Sequence, residues 1–338
     1  MQIRLLVLDD YEGQLSAAPA MERLRRLVDV TILDRPLNAA DRSRLADFHL
    51  LFALRERTRL DEAFFSACDR LELVLQSGGH AYHLDKDAAT RRGIVVALGR
   101  RACKPMVVMP ELVFSFMLAL ARQIHPLTTQ MVNGDWPESM GSSLAGRTLG
   151  ILGYGRHGRP VARIAEAFGM KVVAWDRGNA GKTGDQSVER MPLDALLARA
   201  DFVSIHLRLS DESSGLINRQ RLARMKPTAF LINTSRGAII DEDALVDALA
   251  NGAIAGAALD VFATEPLPAS SPLRRLPNVL LTPHIGWRVA DVLHEFVEIA
   301  AGQLEAWLAG GLSAEDVLNP NAIDVERTRT GGVSSNTV

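Results

Sequence analysis

Cysteine is scarce in this chain: Cys68 and Cys103 are the only two in 338 residues. They form no CxxC pair, so the sequence points to neither a disulfide framework nor a cysteine metal site. An excess of one charge is also missing, because the formal net charge is −2. Without a general positive field there is nothing to hold a phosphate backbone, which argues against nucleic acid as a partner. No stretch of about 18 apolar residues runs without a charge or a breaker, which argues against a membrane span. The nearest approach, Pro105 to Ala121, contains Glu111 and two prolines and reads as a buried helix. Met1 to Asp10 reads as a short strand ending in two acids, unlike a signal peptide with a basic start and an apolar core. A cytoplasmic protein is the expectation. Metal-ligand spacing is absent too: His83, His125, His157 and His294 belong to no HExxH pattern, and no metal is expected. No internal repeat at a solenoid period is visible.

What is present is the balance of a globular chain with a large core, 47% hydrophobic and 23% charged residues. The length suits two domains. Short apolar runs alternate with helical stretches almost throughout. Ile3–Leu8, Val30–Leu33, Leu50–Leu54, Leu71–Leu75 and Ile94–Ala97 read as buried parallel strands, with helices around Ala20–Leu27, Asp61–Cys68 and Asp85–Arg92 between them. A long apolar helix is expected from Met109 to His125, then a polar segment from Asn133 to Gly146. A second alternating set follows, with strands Thr148–Leu152, Lys171–Trp175, Phe202–His206, Ala229–Ile232, Gly256–Leu259 and Val279–Thr282. The helical stretch Ala290–Leu308 is expected to return to the first domain.

The fold class is therefore α/β with two doubly wound parallel sheets. The expected domains are a flavodoxin-like substrate domain, residues 1–100 with 290–323, and a Rossmann dinucleotide-binding domain, residues 101–289. The polar stretch 324–338 is expected to be a disordered tail. Residues Met109–Ala121 are apolar on more than one face, and the connection from Gln130 to Gly146 is too long for a tight link. Both features point to an arm that wraps a second copy in a twofold homodimer.

Gly153-Tyr154-Gly155-Arg156-His157-Gly158 is the strongest motif. It follows an apolar strand and opens an amphipathic helix, and Asp176 ends the next strand 18 residues after Gly158. That context, with an acid about 20 residues on, is the dinucleotide-binding fingerprint. Gly153 permits the turn, Gly155 leaves room for the pyrophosphate, and Gly158 lets helix and strand pack. The helix N-terminus offers N–H groups to the phosphates. Asp176 accepts from the adenosine ribose and repels a 2′-phosphate, which favours NAD over NADP. Arg177 beside it has the opposite tendency.

Three further residues each follow a predicted strand: Arg236 in Leu231-Ile-Asn-Thr-Ser-Arg-Gly237, Glu265 in Leu259-Asp-Val-Phe-Ala-Thr-Glu-Pro266, and His284 in Leu281-Thr-Pro-His-Ile-Gly286. Open α/β sheets bind ligands beyond the carboxyl ends of their strands. Hydride transfer to a 2-keto acid needs a cation for the carboxylate, which Arg236 offers as a fork. It needs an acid to protonate the new alkoxide, a task suited to His284. It benefits from a carboxylate, Glu265, that orients the imidazole and favours its charged form.

The segments GILGYGRHGRPVA, LINTSRGAIIDEDALVDAL, GAALDVFATEP and LTPHIG, in this order, strongly resemble the D-isomer-specific 2-hydroxyacid dehydrogenase family. The resemblance covers roughly residues 50 to 312. It implies an NAD-dependent oxidoreductase acting on a small 2-hydroxy or 2-keto acid. Arg236 is implied as carboxylate anchor, Glu265 as partner of the histidine, and His284 as acid–base. Asp260 is implied to hold the nicotinamide carboxamide, while His206, Thr234, Ser235 and Gly286 line the cofactor groove. Ser77, Gly78 and Gly79 would present backbone N–H groups to the substrate carboxylate, and Arg55 and Arg57 follow a strand nearby. The chain departs from the family at His80, where many members carry glycine, and at Trp287, where many carry a small residue. Both departures bear on substrate identity. Two other readings stay open: a dinucleotide-sensing interaction protein like the corepressors that resemble this family, and a relative acting on formate or phosphite.

Overall fold

Every strand pairing in both sheets is parallel, and the chain's alternating apolar runs are the reason. A computed structural model describes residues 2–176 and 188–322. Arg177 and the expected tail from residue 324 lie outside them. Two units result: one holds the chain up to Lys104 together with the stretch from Val289 on, the other runs from Pro105 to Arg288.

The first unit begins with β1 (Arg4–Val7), α1 (Gln14–Ala17), α2 (Met21–Leu27), β2 (Asp29–Ile32), α3 (Ala39–Arg42), β3 (Leu50–Ala53), α4 (Glu62–Ser66), β4 (Leu73–Gln76), α5 (Lys86–Arg91) and β5 (Val95–Leu98). Its sheet has the order β2-β1-β3-β4-β5, the flavodoxin-like arrangement. β3, β4 and β5 are buried at every position, because a continuous apolar run needs cover on both faces. Acids and an amide start α3, α4 and α5. Asp61 accepts from the Phe64 N–H, Asp85 from the Ala88 N–H, and Asn38 forms a reciprocal box with Asp41.

The second unit begins with α6 (Pro105–Ala121) and α7 (Ile124–Val132). Its sheet strands are β6 (Thr148–Leu152), β7 (Lys171–Trp175), β8 (Glu189–Arg190), β9 (Phe202–Ile205), β10 (Phe230–Asn233), β11 (Gly256–Leu259) and β12 (Val279–Leu281). Between them lie α8 (Gly158–Ala167), α9 (Leu193–Arg199), α10 (Arg219–Leu222) and α11 (Glu242–Ala250). The order β12-β11-β10-β9-β6-β7-β8 is that of a Rossmann sheet with one added edge strand. β8 is the strand that sequence patterning does not suggest, being only two residues long and polar.

The single helix expected over Met109–His125 is two helices. α6 starts earlier, at Pro105, where a proline loses no hydrogen bond. Gln123 then takes a left-handed conformation, φ 55°, and α7 leaves at 62° to α6. The segment after α7 fills the break: Ser142 N–H donates to Ala121 O at 2.7 Å, and the Gln123 amide donates to Met140 O at 3.0 Å. Gly141 sits so close that a Cβ there would lie 2.8 Å from Ala121 O. No single helix among the described residues is long and apolar enough to cross a membrane.

After Val289 the chain is part of the first unit. α12 (Ala290–Leu308) packs on α1, α2 and β4, and Arg23 of α2 bridges Glu298 and Glu305 on it. Beyond α12, Leu318 N–H donates to Val96 O at 2.8 Å. Buried Asn319 accepts from Val96 N–H at 2.9 Å and donates to Ile94 O at 2.9 Å, satisfying backbone groups that water cannot reach.

Candidate active site

The glycine-rich loop leaves β6 at the point where the strand order of the sheet reverses, the crevice in which such folds bind ligands. Gly153 has φ 98°, and a Cβ there would stand 2.6 Å from His206 O. At Gly158, the first residue of α8, a Cβ would stand 2.2 Å from Gly153 O. Gly155 is the opposite case, with nothing within 4 Å of its Cβ position. Two glycines thus close the turn, and the third leaves open space over a helix N-terminus. Arg156 is exposed in the loop, and His157 directly precedes α8.

Asp176, directly after β7, accepts from the Tyr154 backbone N–H at 2.5 Å through Oδ1. Its Oδ2 pairs with Arg190 at 2.7 Å. Arg190 is a partner that the sequence reading did not identify, because it lies in the short polar β8. Thr234, directly after β10, has a buried hydroxyl with no hydrogen-bond partner among the described residues. Ser235 Oγ donates to Ile205 O at 2.6 Å, tying the loop after β10 to β9. His206 follows β9 and shares a 2.9 Å hydrogen bond with Ser204. Burial, with the charge of His157 added, pushes its pKa down to about 3. An open glycine over a helix N-terminus, an orphaned hydroxyl and a strand-end carboxylate are the donor and acceptor set that a dinucleotide requires.

Arg236, Glu265 and His284 lie in the loops after β10, β11 and β12, on this same sheet edge. Gly237 brings the first two loops together: a Cβ on it would fall 1.9 Å from the Phe262 carbonyl carbon. Glu265 Oε1 accepts from the Phe262 N–H at 2.9 Å. Glu265 Oε2 lies 2.7 Å from His284 Nδ1. Burial raises the Glu265 carboxyl, but hydrogen bonds from His284 and Phe262 and the charges of His284 and Arg236 outweigh it, and the group is held below its ordinary value. The Arg236 guanidinium is thus within electrostatic reach of Glu265.

His284 adopts φ 53°, a conformation that costs a non-glycine residue energy unless its surroundings fix it. Asp260 does so. Its carboxylate, 1% exposed, accepts from Thr282 Oγ1 at 2.5 Å, Ile285 N–H at 2.8 Å and Gly286 N–H at 2.9 Å. Burial raises the Asp260 carboxyl, while these bonds and the charge of His284 oppose it. Sequence reasoning assigned Asp260 to the cofactor and missed this grip on the His284 loop. Gly286 is packed as tightly, since a Cβ there would lie 2.7 Å from Met109 Sδ.

The remaining predicted residues belong to the first unit, at the carboxyl ends of its strands. Arg55, with φ 53°, follows β3 and donates its N–H to Ser77 Oγ at 2.7 Å. Gly78 has φ 86°, and a Cβ on it would fall 2.1 Å from Arg55 Nη1. Gly79 continues the same turn. Arg57 is committed elsewhere, to Glu12 at 2.6 Å and to Asp9 O at 2.7 Å. His80 Nδ1 lies 3.1 Å from Glu56 Oε1. Trp287, which is in the second unit, is buried.

Comparison with known proteins bears on the family. The model of the D-isomer specific 2-hydroxyacid dehydrogenase NAD binding domain matches residues 114–286. A glyoxylate reductase of Korarchaeum cryptofilum is 36% identical over 276 residues, 79% of this chain and 80% of that protein. A D-3-phosphoglycerate dehydrogenase of Synechocystis is 38% identical over 269 residues, 79% of this chain and 48% of that protein. The chain thus spans about half the length of the curated phosphoglycerate dehydrogenases that it matches. The crystal structure of a phosphoglycerate oxidoreductase from Vibrio cholerae superposes with a TM-score of 0.82 at 30% identity, covering 92% of this chain and all of the other.

The Asp260 grip has a direct test. Asp260→Asn removes the charge that both N–H groups meet and turns one acceptor oxygen into a donor, facing either Ile285 N–H at Oδ1 or Gly286 N–H at Oδ2. A charge-assisted hydrogen bond is worth about 1.5–3 kcal/mol, so hydrogen exchange at these two amides accelerates by about 10- to 100-fold. Unchanged exchange would show that the loop holds its shape without Asp260.

Proposed function

The chain belongs to the D-isomer specific 2-hydroxyacid dehydrogenases, and on that premise we propose that it is an NAD-dependent oxidoreductase of a small 2-hydroxy or 2-keto acid. The observation that carries this reading is the 2.7 Å contact between His284 Nδ1 and Glu265 Oε2, with Arg236 on the adjoining loop. NAD(H), when bound, supplies or accepts the hydride. The loop Gly153–Gly158 and the α8 N-terminus hold its phosphates, and Asp176 accepts from its ribose. His206, Thr234, Ser235 and Gly286 line the groove, and Asp260 is the acceptor for the carboxamide.

Arg236 holds the substrate carboxylate in a bidentate fork, which fixes the carbonyl. In the first unit, Arg55 and the N–H groups of Ser77, Gly78 and Gly79 are the candidates for substrate contact. His284 uses Nδ1–H to donate to Glu265, so Nε2 carries the mobile proton. During reduction that proton moves onto the developing alkoxide. During oxidation Nε2 removes it from the hydroxyl. Glu265 stays ionised because its carboxyl is held low, and it balances the imidazolium formed in the oxidative direction. We also read the enzyme as cytoplasmic, a compartment in which the free thiols of Cys68 and Cys103 stay reduced.

The experiment is a panel of 2-keto acids with NADH, and of 2-hydroxy acids, formate and phosphite with NAD, followed by pH profiles. Reduction requires His284 charged, so reductive kcat/KM falls as pH rises, while oxidative kcat/KM climbs. In Glu265→Gln the charge that balances the imidazolium is gone and the grip on Nδ1–H is weakened, and kcat falls in both directions. His284→Ala removes the proton donor and lowers kcat by about 10²- to 10⁴-fold. Arg236→Ala acts chiefly on KM. Near-normal turnover in His284→Ala, or in Glu265→Gln, would contradict the assignment.

The second copy is a separate part of the proposal. Val132, Trp136 and Met140 are 81%, 83% and 86% exposed, an unusual apolar display along one segment. Beside it lies a cavity of about 410 Å³ lined by Leu120, Pro126, Met140, Phe230 and Leu280. It opens at the amino ends of the strands, the edge opposite His284. A second chain docking its own arm here buries both features in a twofold dimer. Light scattering at micromolar concentration is expected to give the dimer mass, and Trp136→Glu with Met140→Glu to give the monomer. A monomeric wild type would reject the dimer.

A further inference from the structure

Asp176 is not the lone carboxylate that its place at the end of β7 suggests. One oxygen is bound to the Tyr154 N–H at 2.5 Å and the other to Arg190 Nη1 at 2.7 Å. Arg190 is also stacked on Tyr154, its Cζ 4.0 Å from the ring centroid. Asp176, Tyr154 and Arg190 therefore close a triangle in which the glycine-rich loop itself holds the guanidinium. Arg190 pairs through its register in the sheet, since β8 lies beside β7 with Arg190 opposite Ala174.

This arrangement changes the charge that meets the adenosine ribose. An unpaired carboxylate repels a 2′-phosphate, which carries about −1.5 to −2 charges. The Asp176–Arg190 pair has no net charge. An arginine close to the ribose is also the group that accommodates a 2′-phosphate, because its fork matches phosphate geometry. The fork is not exhausted by Asp176: a guanidinium has five N–H donors, and Arg190 Nη2 is buried with no hydrogen-bond partner among the described residues. The stack on Tyr154 keeps the group in place whether or not Asp176 is engaged.

We propose that Arg190 is a specificity-determining residue of the cofactor site, one that offsets Asp176 and admits NADP(H) alongside the preferred NAD(H). This rests on the cofactor reading above and extends it to the ribose 2′ position. Asp176 supplies the acceptor for a free 2′-hydroxyl, and Arg190 supplies the cation for a phosphate in its place. The two side chains set the ratio between the cofactors jointly rather than Asp176 alone.

Calorimetric titration of the full chain with ADP-ribose and with 2′-phospho-ADP-ribose tests this without any turnover. Both ligands are expected to bind the wild type, ADP-ribose the tighter by less than about 100-fold, well short of the exclusion that an unpaired, desolvated charge clash enforces. Arg190→Met keeps the stem and loses the charge, and is expected to widen the preference for ADP-ribose by about tenfold or more, the loss of one charge-assisted contact. Arg190→Lys retains most of the wild-type ratio. Asp176→Asn shifts the ratio the other way, towards the phosphorylated ligand. Thermal melting of each variant confirms that it is folded. Equal weakening of both ligands in Arg190→Met, or an unmoved ratio, would overturn the proposal and leave discrimination to Asp176 or Arg177. A wild type that binds ADP-ribose but excludes the phosphorylated ligand would overturn it as well. A wild type that binds neither would overturn the cofactor reading, and this proposal with it.

Discussion

The Asp260 carboxylate is almost out of reach of water, and residues 282–286 are folded around it. Burying a charge is costly unless hydrogen bonds replace the lost water. Here three donors do so, two of them consecutive backbone N–H groups. The cost of burial becomes a constraint: the loop can close on Asp260 in few ways, and the one adopted gives His284 its left-handed backbone. From that backbone the imidazole reaches Glu265. Glu265 is itself held by the Phe262 N–H, and the Phe262 backbone abuts Gly237, the residue after Arg236. The three candidate catalytic side chains are thus linked through a short series of close approaches, one of which, at Gly237, requires glycine.

Parallel topology puts all this on one edge. Each strand of the second sheet delivers its following loop to the same side, so the glycine loop, Asp176, His206, Thr234, Arg236, Glu265 and His284 share it. The opposite edge carries an apolar cavity and the exposed arm, features suited to association rather than chemistry. On the proposal above, chemistry and assembly use opposite ends of the same strands.

Much of this was legible in the sequence. Buried parallel strands are continuous apolar runs, and all eleven predicted strands fall within two residues of observed ones. The shared sheet edge of the glycine loop, Arg236, Glu265 and His284 was legible because each lies in the loop that follows such a run. The rest depended on three-dimensional pairing. The break at Gln123 is fixed by Met140 and Ser142, more than 15 residues on, while the local pattern runs through it. β8 is too short and too polar to carry a period. Arg190 is brought to Asp176 only by the register of that strand. The grip of Asp260 on its loop uses backbone N–H groups, which no side-chain pattern records. Arg57 follows a strand as Arg55 does, and only the structure separates the one committed to Glu12 from the one packed on Gly78.

The account turns on a hydride passing between the nicotinamide and the carbonyl carbon of a 2-keto acid while His284 supplies the proton. NADH carrying deuterium at both C4 positions, incubated with the enzyme and a 2-keto acid, tests this most directly by mass spectrometry of the product. The account predicts a 2-hydroxy acid with one deuterium on C2 and none that exchanges with water. A hydroxy acid free of carbon-bound deuterium, or no hydroxy acid from any keto acid offered to folded protein, would contradict it.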